Sequence, residues 1–357
     1  MPDTPEIFEP NDLLSRYNAL KADNPMVRAR DAAAQLGASE GELVAARCGA
    51  EVIRLKGPFK ELIAALPELG RVMVLTRNET VVHERKGVFG NISLDGHVGV
   101  VLNETVDLRL FLKFWVHGFA VEETVRSGTR RSLQFFDRAG MAVHKVYLLE
   151  ESDAARFDGL IAAHRDADQS PGIAVKPYGE AKPSATASEV DLDAFRAEWA
   201  GLQDVHDFHG LLRKHRLDRL QALRLAEERF AAVLPVTALR SALEKAAARE
   251  VPIMVFAGNR GCIQIHSGLV SNIRPMENWE NVLDPDFNLH VRSDRLMTAY
   301  AVRKPTVDGI VTALEFYDND GVHVAQLFGV RKPGQPESQD WRRLVEDVEA
   351  ERDEVPA

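Results

Sequence analysis

The sequence predicts an α+β protein built as a tandem repeat, each copy a helical cluster followed by an antiparallel sheet. Three observations lead there. The 357 residues exceed what one ordinary core organises, so two domains or one duplicated fold are expected. At a constant offset of 181, residues 72–150 fall on 253–331 without a gap. Each half also begins with a stretch rich in Ala, Leu, Glu and Arg, then turns to short alternating apolar runs.

The matches fall where a fold is least tolerant. Asn78 meets Asn259, Gly87 meets Gly268, and Asn91-Ile92 meets Asn272-Ile273. Phe135, Asp137, Gly140 and Val143 meet Phe316, Asp318, Gly321 and Val324. Turn residues and alternating apolar positions keep register together because a one-residue slip inverts a strand's faces.

In chain order, residues 10–66 and 190–248 read as the helical portions. RVMVLTRN, TVVHERKG, HVGVVLNE and SLQFFDRAGMAVHKVYLL read as strands, as do PIMVFAGN, CIQIHSG, TALEFYDNDG and VHVAQLFGV. Asp-Arg-Ala-Gly and Asp-Asn-Asp-Gly are hairpin turns at equivalent places. DLRLFLKFWVHGF and NLHVRSDRLMTAY read as helices interrupting the strands. Residues 166–190, with three prolines among Ser, Ala and Thr, have linker composition. The expected domains are therefore 10–165 and 191–348, with 349–357 as a tail.

Composition narrows the function. A net charge of −10 argues against general nucleic-acid binding, which needs a basic surface. Cys48 and Cys262 stand alone, so neither a disulfide framework nor a zinc site has support, and Cys262 reads as an inert core thiol. The first residues lack the basic-then-apolar order of a signal peptide, and no apolar run is long enough to span a bilayer. A cytoplasmic protein that is not membrane-embedded is expected. Nucleotide-binding glycine motifs are absent.

The segment Asp204-Val205-His206-Asp207-Phe208-His209 stands out, within an expected helix from about 191 to 217. On a helical wheel Leu202, Val205, Phe208 and Leu212 form an apolar stripe. His209 lies inside its edge and His206 roughly a quarter-turn or more away, able to face a crevice. Spacing alone favours two surface histidines near a helix end, since His-x-x-His is by itself a weak signal.

LKADNP, TRNETVVHE, DLRLF, DVHDFH, VFAGNRGCIQIH and VAQLFGVRKPG together resemble the HemS/ChuS family of bacterial cytoplasmic heme-binding and heme-degrading proteins. The resemblance covers nearly the whole chain. It implies heme b, iron protoporphyrin IX, in a crevice between the copies. His206 would be the iron ligand and Arg109, in DLRLF, would approach the opposite heme face. Arg219, Lys304 and Arg331 would hold the propionates. Gln326 and Phe328 would line the pocket, Phe328 departing from a tyrosine expected there. His209 is an alternate ligand and His83 a second heme or transfer site; a half-buried strand histidine is the plainer reading of His83. His215, His266, His290 and His323 read as structural.

The chemistry is consistent with this. Imidazole supplies a nitrogen ligand to heme iron, and Arg and Lys neutralise carboxylates. At offset 181, Arg303, Lys304 and Arg331 meet Glu122, Glu123 and Glu150, so only the second copy keeps the basic set. Overlaying the helical parts on Arg30 and Arg219 pairs His206 with Tyr17. The implied function is uptake and use of heme with oxidative degradation, electrons coming from an external donor. The partners implied are an inner-membrane heme ABC importer and a downstream heme oxygenase. A non-catalytic heme chaperone and a cofactor-free scaffold are the alternatives.

Overall fold

The computed structural model describes residues 10–125, 128–179, 184–332 and 334–354. The readings of the chain's first nine residues, the middle of the linker and the end of the tail lie outside them. Two compact units emerge. The first holds the chain up to Arg77, Glu84–Gly179 and Asn259–Gln264; the second holds Asn78–His83, the stretch ending at Gly258, and the chain from Ile265.

The first unit opens with α1 (Pro10–Asp23), α2 (Ala29–Leu36) and α3 (Glu40–Ala45), then β1 (Val52–Leu55) and α4 (Lys60–Ala65). Gly37 ends α2 in the left-handed region, and Ser39 with Glu42 forms a capping box that starts α3. The strands that follow in the chain are β2 (Arg71–Arg77), β3 (Val81–Val88, its first three residues in the second unit), β4 (Ile92–Ser93), β5 (Gly99–Leu102), β6 (Asp107–Leu110), β7 (His117–Val125), β8 (Gly128–Phe136) and β9 (Ala142–Leu148). Helix α5 (Ala154–His164) follows, with Asp153 as its N-cap. Five of these strands pair antiparallel in the order β1-β7-β8-β9-β2.

The second unit repeats the plan: α6 (Leu192–Ala200), α7 (Asp207–His215), α8 (Arg219–Leu225), β10 (Ala231–Leu234), α9 (Ala238–Ala248) and β11 (Ile253–Gly258). Then come β12 (Cys262–Gly268), β13 (Trp279–Leu283), β14 (Phe287–Arg292), β15 (Leu296–Thr306), β16 (Gly309–Asp318), β17 (His323–Gly329) and α10 (Gln339–Ala350). Its five-stranded order, β10-β15-β16-β17-β11, is antiparallel and equivalent strand for strand to that of the first unit.

The matched turn residues do matched work. Asp137 Oδ1 accepts from the Ala139 and Met141 N–H groups, and Asp318 Oδ1 from those of Asp320 and Val322. Gly140 and Gly321 follow at φ 74° and 73°, a region costly for any residue with a Cβ. Asn259 donates to the Arg77 and Val143 carbonyls in the first unit, and Asn78 to those of Gly258 and Val324 in the second.

Four expectations need correction. The helix expected from about 191 to 217 is two helices, α6 and α7. Gly201 ends the first, and the Asp204 carboxylate takes the His206 N–H at 2.8 Å, a local turn that competes with helix. DLRLFLKFWVHGF and NLHVRSDRLMTAY are strands around single 3-10 turns, Leu112–Phe114 and Ser293–Arg295. Their buried residues alternate, Leu108 with Leu110 and Leu289 with Val291, which is the period of a strand. The helical portions each contain a strand, β1 and β10.

The fourth concerns the helical overlay. Gly37 and Arg216 both close a helix in the left-handed region, and Ser39 and Asp218 both cap the next one. This equates α2 with α7 and α3 with α8, so Arg219 answers to Glu40 and not to Arg30. His206, at the start of α7, answers to the start of α2 near Arg28. Tyr17 is buried in α1, four residues after buried Leu13, as Trp199 follows Phe195 in α6. It is core.

Residues 166–179 have linker composition but are moored to the first unit. Gln169 closes on both backbone groups of Arg54, while the Arg54 guanidinium donates to the carbonyls of Asp168, Ser170 and Gly172.

Candidate functional site

The second unit's helical cluster sits on an aromatic core of Phe195, Trp199, Phe208 and Phe230. Trp199 Nε1 donates to the Arg303 carbonyl, and the Val307 N–H donates to the Gln203 carbonyl at 3.0 Å. The α6–α7 turn is thereby tied to the β15–β16 hairpin. His206 occupies the N-cap of α7 with its side chain 87% exposed, so this imidazole is open to a ligand. Its Nδ1 lies 2.6 Å from Asp204 Oδ1, which leaves Nε2 as the nitrogen able to bind a metal. The hydrogen bonds from His206 hold the Asp204 carboxyl below its usual range.

The same hairpin holds Arg331, whose Nη1 lies 3.4 Å from Asp308 Oδ2. Arg219 begins α8 and makes a two-pronged pair with Glu315 of β16: Nε to Oε2 at 2.7 Å and Nη2 to Oε1 at 2.5 Å. Lys304 of β15 reaches the same Oε1 at 3.2 Å, and Tyr317 donates its hydroxyl to Oε2 at 2.8 Å. Arg219 Nη2 also approaches Gln326 Oε1, at 3.4 Å. Phe208 carries both cations on its ring, Lys304 Nζ at 4.5 Å and Arg219 Cζ at 5.3 Å from its centroid.

Burial would raise the Glu315 carboxyl, but Arg219 and Lys304 outweigh it and keep it well below the usual range. Burial pulls the Lys304 ammonium down to about 8, against the opposing pull of Glu315. His323 is held neutral first by burial and then by the nearby Arg219 cation. His209 is exposed, not at the edge of an apolar stripe. Partial desolvation, then Arg219 and Lys304, lower its pKa.

The first unit fills the equivalent positions differently. Glu40, answering to Arg219, is buried and paired with Arg77 and with Lys145 Nζ at 2.6 Å. Glu123, answering to Lys304, takes Arg47 at 3.4 Å and Arg130 at 2.9 Å. Gln134 stands where Glu315 does. The first unit's helix–sheet ion pair is thus acid on the helix and base on the sheet; the second unit's is the reverse.

The remaining expected residues scatter. Arg109 belongs to the first unit, is one-third exposed and pairs with Asp107. Arg303 leaves the cluster entirely for Glu349 of α10, because neighbouring strand residues point to opposite faces. Phe328 packs edge-on to Phe256 at 5.2 Å. His83 is fully buried, not half-buried, its ring 5.0 Å from that of Phe287; His266 stacks parallel on the same ring at 3.8 Å. His215 meets Glu198 and His290 meets Asn281, as structural histidines do. Cys262 is buried beside Thr76 and His144, and burial pushes its thiol up to about 12, which suits an inert thiol.

Sequence reasoning missed Glu315, Tyr317 and the role of Phe208 as a platform. One signal was available: in TALEFYD the Glu315 carboxylate sits in the middle of an apolar strand, away from the turn acid Asp318, and a buried acid demands buried cations. Chemically, an exposed imidazole in the same unit as a cluster of two cations and one anion suits a metal-bearing ligand with acidic groups.

Comparison with known proteins agrees. A profile of the haemin-degrading HemS/ChuX domain matches residues 37–164 and again 216–348, once in each half of the chain. The hemin transport protein HemS of Yersinia enterocolitica is 40% identical over 331 residues, 92% of this chain and 95% of that one. The solved structure of holo-PhuS, a heme-binding protein from Pseudomonas aeruginosa, matches with a TM-score of 0.92 and 46% identity, covering 95% of this chain and 99% of that one. ChuS, an E. coli heme oxygenase, matches with a TM-score of 0.86 and 37% identity, covering 94% and 99%. With both repeats matched and such relatives along nearly its full length, the chain belongs to the HemS/ChuX family of haemin-degrading domains.

Proposed function

We propose that this protein is a cytoplasmic heme-binding protein of bacterial heme uptake and utilisation, taking heme b as cargo and substrate. His206 Nε2 binds the iron. Arg219, Lys304 and Arg331 would meet the propionates, with Gln326 and Phe328 lining the pocket and Arg109 as the further residue that the resemblance brings to the heme. The observation that carries the reading is His206 itself: an exposed imidazole oriented through Nδ1 by Asp204, in the same unit as the cation cluster. Heme iron needs a nitrogen ligand, and the carboxylates on the macrocycle edge need cations. His83 is left out, since its use as a ligand would open a packed core.

When bound, heme supplies redox chemistry, and oxidative opening of its ring would release iron. Electrons for that come from an external donor, since the chain carries no nucleotide-binding glycine motif. The solved relative described as a heme oxygenase supports the catalytic reading, and the one described as heme-binding supports a chaperone that receives heme after import and hands it to a separate oxygenase. Hemin titration is expected to give a saturable shift of the Soret band at one equivalent; no shift contradicts heme binding. Adding a reductant and oxygen to that complex, with catalase present, separates the two roles. Loss of the Soret band with a linear tetrapyrrole and free iron supports catalysis, whereas an unchanged spectrum supports the chaperone.

A further inference from the structure

We propose that Glu315 is a positioning residue for ligand carboxylates: it locks Arg219 and Lys304 into one charged platform whose remaining donors receive a propionate. The inference rests on the heme-binding reading and adds a residue to it.

Both oxygens of Glu315 are committed. Oε1 takes Arg219 Nη2 and Lys304 Nζ, and Oε2 takes Arg219 Nε and the Tyr317 hydroxyl, with His323 Nε2 4.0 Å away. The carboxylate is fully buried, so it does not itself meet a ligand. Its partners differ. The Arg219 side chain is 19% exposed and that of Lys304 5%. A guanidinium has five N–H groups and an ammonium three. Holding Arg219 by Nε and Nη2 leaves Nη1 for another acceptor, and Lys304 spends one donor of three on Glu315.

Charge explains why the acid is needed. Two cations and one carboxylate leave the cluster at a net charge of +1, which one propionate neutralises. Without Glu315 two like charges would be buried together, a state resolved by loss of the proton from Lys304, the group already eased toward neutrality. The acid therefore preserves the second cation. The repeat supports the assignment: where the first unit has Glu40 and Glu123 in place of the two cations, it has Gln134 in place of Glu315. Acid and bases are present as a set or absent as a set.

The test compares two iron porphyrins, hemin and its dimethyl ester, which differ only in the carboxylates. Glu315→Gln is expected to weaken hemin binding about tenfold, in the range for residues that orient a direct contact. Binding of the ester should change by less than about twofold on the same physical ground, since only carboxylate contacts are lost. A structural defect would lower both. Should Glu315→Gln fail to fold by circular dichroism, Glu315→Asp takes over, keeping the charge but shortening its reach by one methylene. It is expected to lose about threefold for hemin and nothing for the ester, part of the larger loss. Equal losses for both porphyrins, or none, overturn the role of Glu315 while leaving heme binding intact. Wild-type protein that takes up neither porphyrin overturns both.

Discussion

Replacing His206 by alanine is expected to weaken hemin binding by about 100-fold or more and to change the spin-state bands of what remains. The magnitude follows from comparison: residues that merely orient a metal ligand cost 10- to 100-fold, and the ligand itself must cost at least as much. Asp204→Ala supplies the graded companion. It removes the carboxylate at 2.6 Å from Nδ1, so the ring keeps its donor but loses its orientation. A loss of about 10-fold, with the spectrum preserved, is expected. His266→Ala is the control, because that ring is stacked in the core on Phe287. It should lower stability and leave the hemin spectrum alone. Equal spectral effects at 206 and 266 would remove His206 from its role.

The second large effect concerns charge. Lys304→Glu combined with Arg331→Glu is expected to lower hemin affinity on the order of 1000-fold, since like charges brought together cost several kcal/mol. Glu122→Lys with Glu123→Lys should cost stability through the broken pairs with Arg131, Arg47 and Arg130, with little effect on hemin. If both double variants lose hemin alike, the asymmetry between the copies has no functional content.

Lys304 also gives a pH signature. Glu315 from β16, Arg219 from α8, His209 from α7 and His323 from β17 all act on it or feel it. Its pKa near 8 lies below the ordinary lysine value, so the ammonium is present below pH 8 and lost above it. A propionate favours the ammonium. Binding above pH 8 must therefore take up a proton, and the preference for hemin over its dimethyl ester should fall, at most about tenfold per pH unit. Lys304→Met should flatten that slope.

The duplication was legible because turn chemistry is intolerant. Asp137 and Asp318, Gly140 and Gly321, and Asn78 and Asn259 each make hydrogen bonds or adopt dihedrals that few residues can replace. Strand alternation was legible for the same reason wherever one face is buried. The break between α6 and α7 was less so, since Trp199 before it, Leu202 within it and Phe208 and Leu211 after it are all buried and mimic one continuous stripe. The side chain of Asp204 decides that turn, and a helical wheel does not register it.

For the site, the resemblance supplied His206 and the cations, while the structure supplied what holds them. Lys304 is buried on Phe208 against Glu315, partners 96 and 11 residues away, and nothing in VRKP points to either. Pairings between distant residues leave no local pattern. The helical overlay failed because Arg30 and Arg219 share an identity but not a position; the left-handed caps at Gly37 and Arg216 were the better markers.

Crystals of the hemin complex test the central claim most directly. Iron bound to His206 Nε2, with Asp204 still on Nδ1 and the propionates against Arg219, Lys304 and Arg331, is the expected result. Iron held by any other side chain, or propionates turned away from those three cations, would contradict it.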